Sequence, residues 1–376
     1  MAGLYFHIPF CKQKCHYCDF YSKRDSNGID ILVKSELKEL VLRRNYLNNE
    51  CIETIYFGGG TPSLLNTSYI NNILNAVRSN YDVSLDCEIT LEANPDDLSD
   101  DYLKGLYNCG INRLSVGIQS FNDTILKYLG RRHDSKQLKY IIETAHKVGF
   151  GNISVDLIFG IPEMKLDTYL QSLNSVIQLN IQHISAYSLT ISEGTLFHKK
   201  FINNTLKEVS EDSIIDQFNL TMDLLSEHGF VQYEISNYAK EGFVSRHNSS
   251  YWENIMYLGI GPSAHSYNLV SRQWNISDTQ KYCDQIDRLN VFFEIEYLTH
   301  NDKFNEYIIT GLRTSKGVSK SFIYGCFDNK IFIHFEKIVK DLELGGFIFC
   351  VADNVVLTRK GLLICDHILQ RLYYTS

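Results

Sequence analysis

Leu4-Tyr-Phe-His-Ile-Pro-Phe-Cys11-Lys-Gln-Lys-Cys15-His-Tyr-Cys18-Asp-Phe20 joins a short strand pattern to three cysteines packed into eight residues. The C-x3-C-x2-C spacing places three thiolates on one loop, enough to hold an iron–sulfur cluster by three irons and leave the fourth without a protein ligand. Structural zinc is the competing reading, but it wants four ligands in closed tetrahedral geometry. No second Cys/His knuckle follows within thirty residues, so His7 or His16 would have to complete a Cys3His site. The lysine-rich spacer between Cys11 and Cys15 reads as loop rather than core.

The rest of the composition narrows the setting. A chain of 376 residues with 44% hydrophobic content can bury a full core and has room for one large domain plus a smaller one. A formal charge of -8, from 36 basic and 44 acidic residues, disfavours a general binder of nucleic acid or anionic membranes. The N-terminus carries no signal-type segment and no apolar run is long enough to span a bilayer. The expectation is a cytoplasmic protein with reduced cysteines, no membrane span and at most peripheral membrane association. Cys51, Cys87, Cys109, Cys283, Cys326, Cys350 and Cys365 are dispersed singly and read as buried residues.

Over the first two-thirds, strand-like and helix-like segments alternate. Strands are expected at Leu4–Pro9, Thr54–Phe57, Glu88–Glu92, Arg113–Ile118, Ile153–Phe159 and His183–Leu189. Helices are expected between them at Ser35–Leu47, Ser68–Asn80, Ser99–Cys109, Ser135–Val148 and Leu166–Leu179. Six βα units of this kind predict a parallel sheet curled into a partial (β/α)6 barrel. Ligands of such folds bind at the carboxyl ends of the strands. The unusual residues all fall there: the cysteine loop, Gly58-Gly59-Gly60-Thr61-Pro62, Glu92-Ala-Asn-Pro95, Gln119-Ser-Phe121, Asp156 with Gly160-Ile-Pro162, and Tyr187-Ser-Leu189.

These segments, together with Gly117-Ile-Gln119 and Arg131, resemble the radical S-adenosylmethionine family, in the branch related to oxygen-independent coproporphyrinogen III oxidases, over nearly the whole chain. The resemblance implies a [4Fe-4S] cluster on Cys11, Cys15 and Cys18, with the methionyl amine and carboxylate of S-adenosylmethionine on the open iron. It also implies reductive cleavage of that cofactor to methionine and a 5'-deoxyadenosyl radical. By position, Tyr5, Gly59 and Glu92 carry over as contacts of one S-adenosylmethionine. Tyr17, Gly60, Thr61, Gln119, Arg131 and Asp156 match contacts of a second. The chemistry is apt, since a carboxylate suits an ammonium, a guanidinium a carboxylate, and Asp156 ribose hydroxyls. Taken singly, Glu92 and Asp156 equally suit helix caps, and Arg131 a solvated basic run with Arg132 and His133.

Two departures distinguish this chain within the branch. The oxidases carry a fourth cysteine two residues after the third, where this chain has Cys18-Asp19-Phe20, and they have a longer segment ahead of the cysteines. Arg246-His247-Asn-Ser-Ser-Tyr251-Trp252 matches an H-N-x-x-Y-W run of the heme chaperones in the branch, which makes His247 a candidate heme ligand. A histidine among aromatics is otherwise a structural residue, and His265 is a weaker candidate. Three readings result. The first is a heme chaperone that binds cluster, S-adenosylmethionine and heme and delivers heme to respiratory or other hemoproteins, with a flavodoxin- or ferredoxin-type electron donor. The second is an oxidase forming protoporphyrinogen IX, and the third a zinc-stabilised binding protein.

The domain expectation is 1–235 for the barrel, 236–290 for a connecting segment bearing the H-N-x-x-Y-W run, and 291–376 for a C-terminal α+β module. In the last, helices at Lys303–Leu312 and Asn329–Leu342, a hairpin at Phe347–Thr358 and a helix from Arg359 to Leu372 predict a winged-helix-like domain. It lacks a concentrated basic face, so covering the barrel or docking a partner is expected of it rather than nucleic-acid binding.

Overall fold

The computed structural model describes residues 1–291 and 293–375. Six parallel strands form its centre: β1 (Ala2–Ile8), β2 (Ile52–Gly59), β3 (Val83–Ala93), β4 (Arg113–Gln119), β5 (Ile153–Phe159) and β6 (His183–Ser188). The crossovers are α1 (Ile29–Leu42), α2 (Thr67–Asn80), α3 (Asp100–Cys109), α4 (Asp123–Leu129) with α5 (Ser135–Val148), and α6 (Leu166–Ile177). Each strand alternates between two environments. Leu4, Phe6 and Ile8 of β1, and Val155, Leu157 and Phe159 of β5, join the apolar core against the helices. The intervening Tyr5, His7, Ser154 and Asp156 face the barrel interior. That interior is polar: Glu88, Thr90, Arg113, Ser115, Ser154, His183 and Ser185 are all buried.

The first helix starts at Ile29 rather than Ser35 and stops at Leu42 rather than Leu47. Its buried face includes Glu36 and Glu39, and Arg43 follows buried beyond its end, so apolar periodicity misplaces it. Sheet growth continues past β6. After α7 (Leu196–Ile202) and α8 (Glu211–Glu227), β7 (Val231–Gln232) and β8 (Asn237–Ala239) pair antiparallel, β8 against β6. On the other edge, α9 (Arg246–Trp252) leads into β9 (Met256–Ile260), which lies parallel to β1. β10 (His265–Tyr267), β11 (Ser271–Asn275), α10 (Thr279–Asp287) and β12 (Phe293–Tyr297) complete a twelve-stranded sheet ordered β12-β11-β10-β9-β1-β2-β3-β4-β5-β6-β8-β7. The stretch 236–290 thus supplies strands to the large sheet, and its Leu258, Ile260, Tyr282 and Ile286 belong to the main core. These strands are only three to five residues long, too short to stand out by alternation.

A second core centres on Phe304, Ile308, Phe335 and Ile368. It is built from α11 (His300–Leu312), β13 (Val318–Ser319), α12 (Lys320–Cys326), α13 (Asn329–Leu344), β14 (Ile348–Val351), β15 (Asn354–Leu357), α14 (Arg359–Leu362) and α15 (Cys365–Leu372), with the small sheet ordered β13-β15-β14. The order helix, strand, two helices and hairpin is that of a winged helix. The final helix is two, not one: α14 and α15 are separate, with Leu362 at the end of α14 packed against both cores, while Ile368, Leu369 and Leu372 of α15 fill the C-terminal one. Cys326 is exposed rather than buried, since α12 inserts only Ile323 into the interior. Among the described residues, no helix is long and apolar enough to cross a membrane.

Candidate cluster and cofactor site

At the carboxyl ends of β1–β6 lies a cavity of about 450 Å3. Its lining brings together Cys11, Cys15 and Cys18 with Tyr17, Gly59, Gly60, Thr61, Glu92, Gln119, Arg131 and Asp156. All three cysteines are free thiols.

The cysteine loop is pinned along its length. Cys11 N–H donates to the Lys23 carbonyl at 2.8 Å and His16 N–H to the Leu129 carbonyl at 3.0 Å. The His16 ring bonds the Tyr128 carbonyl through Nδ1 at 2.7 Å, and Gln13 Nε2 donates to the Gly130 carbonyl at 2.9 Å. Lys12 pairs with Asp97 at 2.5 Å. A side-chain network then reaches two of the thiols. Arg131 Nη2 donates to the Asn94 Oδ1 at 2.7 Å, its Nη1 lies 3.4 Å from Cys15 Sγ, Asn94 Nδ2 donates to Thr61 Oγ1 at 3.2 Å, and Thr61 Oγ1 donates to Cys11 Sγ at 3.3 Å. Donors aimed at sulfur stabilise thiolate, the form that binds iron. Burial pushes the Cys18 thiol up to about 11, so cluster insertion must displace its proton.

The donor set fits a cluster better than a single ion. His7, one candidate fourth zinc ligand, has both ring nitrogens engaged, with the Tyr5 hydroxyl at 3.2 Å and the Tyr21 carbonyl at 3.0 Å. Among the described residues, no three His, Cys, Asp or Glu side chains converge on one metal-ion position. A four-iron cluster takes each thiolate at a different iron and needs no such convergence.

The glycine turn permits close approach. Gly59 has φ of 108°, and a Cβ there would come within 2.8 Å of the His7 ring. A Cβ on Gly60 would stand 2.8 Å from the Phe10 carbonyl oxygen and 2.9 Å from that of Ile8, both backbone atoms of the segment leading from β1 into the cysteines. Gln119 holds φ of 68° without being glycine, next to the register shift between β4 and β5, and such strain collects at functional positions.

Glu92 and Asp156 are interior residues, not caps: the turn after β3 has Asn94 at its cap position. Burial lifts the Glu92 carboxyl to about 7 against the pull of the Tyr56 hydroxyl, which donates to it at 2.7 Å. Burial likewise lifts Asp156 to about 6. Tyr5 is not on the cavity wall. It lies behind it, with its ring 6.1 Å from Tyr56. Tyr56, Asn94, Ser115 and Tyr187 complete the site, the last three on the lining. The signal for Ser115 was present, since Arg113, Ser115, Gly117 and Gln119 alternate with the apolar residues of β4.

His247 stands apart from this cavity. It is buried on α9, with Nδ1 2.8 Å from Thr54 Oγ1 and Nε2 3.0 Å from the Tyr251 hydroxyl. Its ring stacks on Tyr56 at 4.9 Å, and burial lowers its pKa to about 3, fixing the neutral form. His265 is exposed and stacks on Trp274.

Residues 5–176 match the model of the radical SAM superfamily, and residues 298–364 that of the HemN C-terminal domain. The heme chaperone HemW of Bacillus subtilis is 34% identical over 371 residues, 98% of each chain. The chain belongs to the HemW family. The HemW of Escherichia coli is 39% identical over 70% of this chain and 69% of its own. Coproporphyrinogen III oxidase (HemN) from Escherichia coli shares the fold at a TM-score of 0.86, covering 99% of this chain and 90% of its own, at 23% identity.

Proposed function

We propose that this chain is a heme carrier of the HemW type that holds a [4Fe-4S] cluster and S-adenosylmethionine at the barrel mouth and hands heme to hemoproteins. The observation that carries the cofactor half is the single cavity shared by the three cysteines and eight of the nine carried-over cofactor residues. The carrier half is supported by HemW relatives aligned from end to end.

Cys11, Cys15 and Cys18 would hold the cluster. When bound, it supplies an open iron that chelates the methionyl amine and carboxylate, and the electron for reductive cleavage of the sulfonium. The chain's residues orient and enclose. Glu92 accepts hydrogen bonds from the methionyl amine, its Oε1 already set by Tyr56. The turn at Gly59 and Gly60 brings backbone polar groups against the ligand. Asp156, near Gln119 on the neighbouring strand, suits ribose hydroxyls. Arg131 is committed to Asn94, the Gly117 carbonyl and Cys15, so its first task is holding the cysteine loop; its charge remains available to a carboxylate in the same cavity. One S-adenosylmethionine accounts for Gly59 and Glu92, with Tyr5 backing them from behind Tyr56 rather than touching the ligand; a second at Tyr17, Gly60, Thr61, Gln119, Arg131 and Asp156 is part of the proposal. A one-electron donor of flavodoxin or ferredoxin type supplies the reductant, and the setting is cytoplasmic.

Heme transfer tests the carrier role. Heme-loaded protein mixed with an apo-hemoprotein and separated after incubation should leave the acceptor with the heme spectrum, faster than free heme at the same concentration. Heme that stays on the chain, or never binds it, would remove the carrier reading.

A further inference from the structure

A second cavity, of about 570 Å3, opens between α9 and the C-terminal module and shares no lining residue with the first. That volume lies in the range of about 300–1,000 Å3 usual for small-molecule sites, which favour domain interfaces. Its walls come from both cores. Trp252 and Ser249 of α9 and Ile255 form one side, Tyr307 and Gly311 of α11 another, and Tyr233 also lines the cavity. The walls are tied together: Ser315 N–H donates to the Tyr233 carbonyl at 3.0 Å, and Glu234 bridges Thr314. Trp252 Nε1 is buried without a hydrogen-bond partner among the described residues.

At the mouth stand two cations, each already held by a carboxylate that also lines the cavity. Arg246 pairs with Glu53 at 2.9 Å and with Asp86, and Lys316 pairs with Glu253. The Lys316–Glu253 pair is exposed and worth about 0–1 kcal/mol, so Lys316 can turn to a ligand carboxylate at small cost, whereas Arg246 is half-buried, held by Glu53 and the Asp86 carbonyl, and offers its charge from a fixed position. An aromatic, largely apolar slot with cations at its mouth suits a flat apolar ring bearing carboxylates at one edge.

We propose, resting on the heme-carrier reading above, that this cleft is the seat of the heme, held by its ring and carboxylates. His247 then lies behind the wall rather than on it. It and Tyr251 occupy the inner face of α9, where His247 hydrogen-bonds both Tyr251 and Thr54, while Arg246, Ser249 and Trp252 face the cleft. No histidine or cysteine lines the cleft among the described residues. Met1, Tyr233 and Tyr307 are the lining side chains, among the described residues, of types that serve as axial ligands, so the cleft offers the iron no imidazole or thiolate and the grip falls mainly on the ring and the carboxylates, which suits a carrier that must release its cargo.

The test is a titration of the cluster-loaded full chain with ferric heme and, separately, with iron-free protoporphyrin IX, followed by absorbance and tryptophan quenching. Ser249→Trp fills the cleft and should weaken heme binding by at least about tenfold, with iron content and S-adenosylmethionine binding unchanged. Lys316→Glu, at the exposed mouth, should weaken it several-fold and serves if Ser249→Trp fails to fold. Protoporphyrin should bind within about threefold of heme. Wild-type heme affinity in both variants, displacement of heme by S-adenosylmethionine, or no protoporphyrin binding would overturn the location. A wild-type chain that binds no heme at all would instead overturn the carrier reading on which it rests.

Discussion

Cys15 is the thiol most directly held by charge, with Arg131 Nη1 3.4 Å from its sulfur and Thr61 bonding the neighbouring Cys11. Cys15→Ser, reconstituted anaerobically with iron and sulfide, should lose the brown colour and the paramagnetic signal of a reduced four-iron cluster while keeping its far-UV circular dichroism. A full [4Fe-4S] spectrum would show that other residues hold the cluster. At this scale the sequence was most readable where spacing alone carries chemistry, as in the cysteine triplet and the glycine turn. It was least readable where a role depends on a partner distant in the chain. Nothing local to Tyr56 announces that its hydroxyl sets the Glu92 carboxylate and its ring stacks on His247, 191 positions away. His247 shows the converse: its aromatic surroundings were legible, but only the fold reveals that both its nitrogens are occupied.

Helix α1 carries the clearest energetic cost among the elements. Glu36 is fully buried, both carboxylate oxygens lack a hydrogen-bond partner among the described residues, and burial together with nearby Glu39 raises its pKa well above 4.5. Neighbouring Glu39, by contrast, is met by Arg43, Asn275 and Tyr282. For an acid whose folded pKa is raised, the unfolded chain loses its proton first, so stability falls as pH rises above the unfolded value. The loss is about 1.4 kcal/mol per pH unit until the folded value is reached. Glu36→Gln removes that dependence. Its gain in melting temperature over the wild type should be larger at about pH 8 than at about pH 5; an equal gain at both would mean that Glu36 is ionised in the fold. Long periodic elements such as α5 and β5 could be read from the chain to the residue, because their burial pattern is apolar and regular. Strands β8 to β11 could not, because pairing with β6 and β1 rather than internal pattern stabilises them.

For the whole molecule, two cores produce two cavities that share no wall residue, and α9 stands between them. Its outer face lines the cleft against the C-terminal module, and its His247 stacks on the tyrosine that holds Glu92. The shared fold with the oxidase, at a TM-score of 0.86, does not by itself separate carrier from enzyme. What separates them is what the loaded protein does with porphyrin. The most direct measurement incubates cluster-loaded chain anaerobically with coproporphyrinogen III, S-adenosylmethionine and a reductant, beside an authentic oxidase, and scores protoporphyrinogen IX. A second portion of the same sample is assayed for heme transfer to an apo-hemoprotein. The expected result is no protoporphyrinogen above background together with transfer of heme; product formed over many turnovers, with the Cys18-Asp19-Phe20 sequence intact, would make this chain an oxidase and contradict the carrier function.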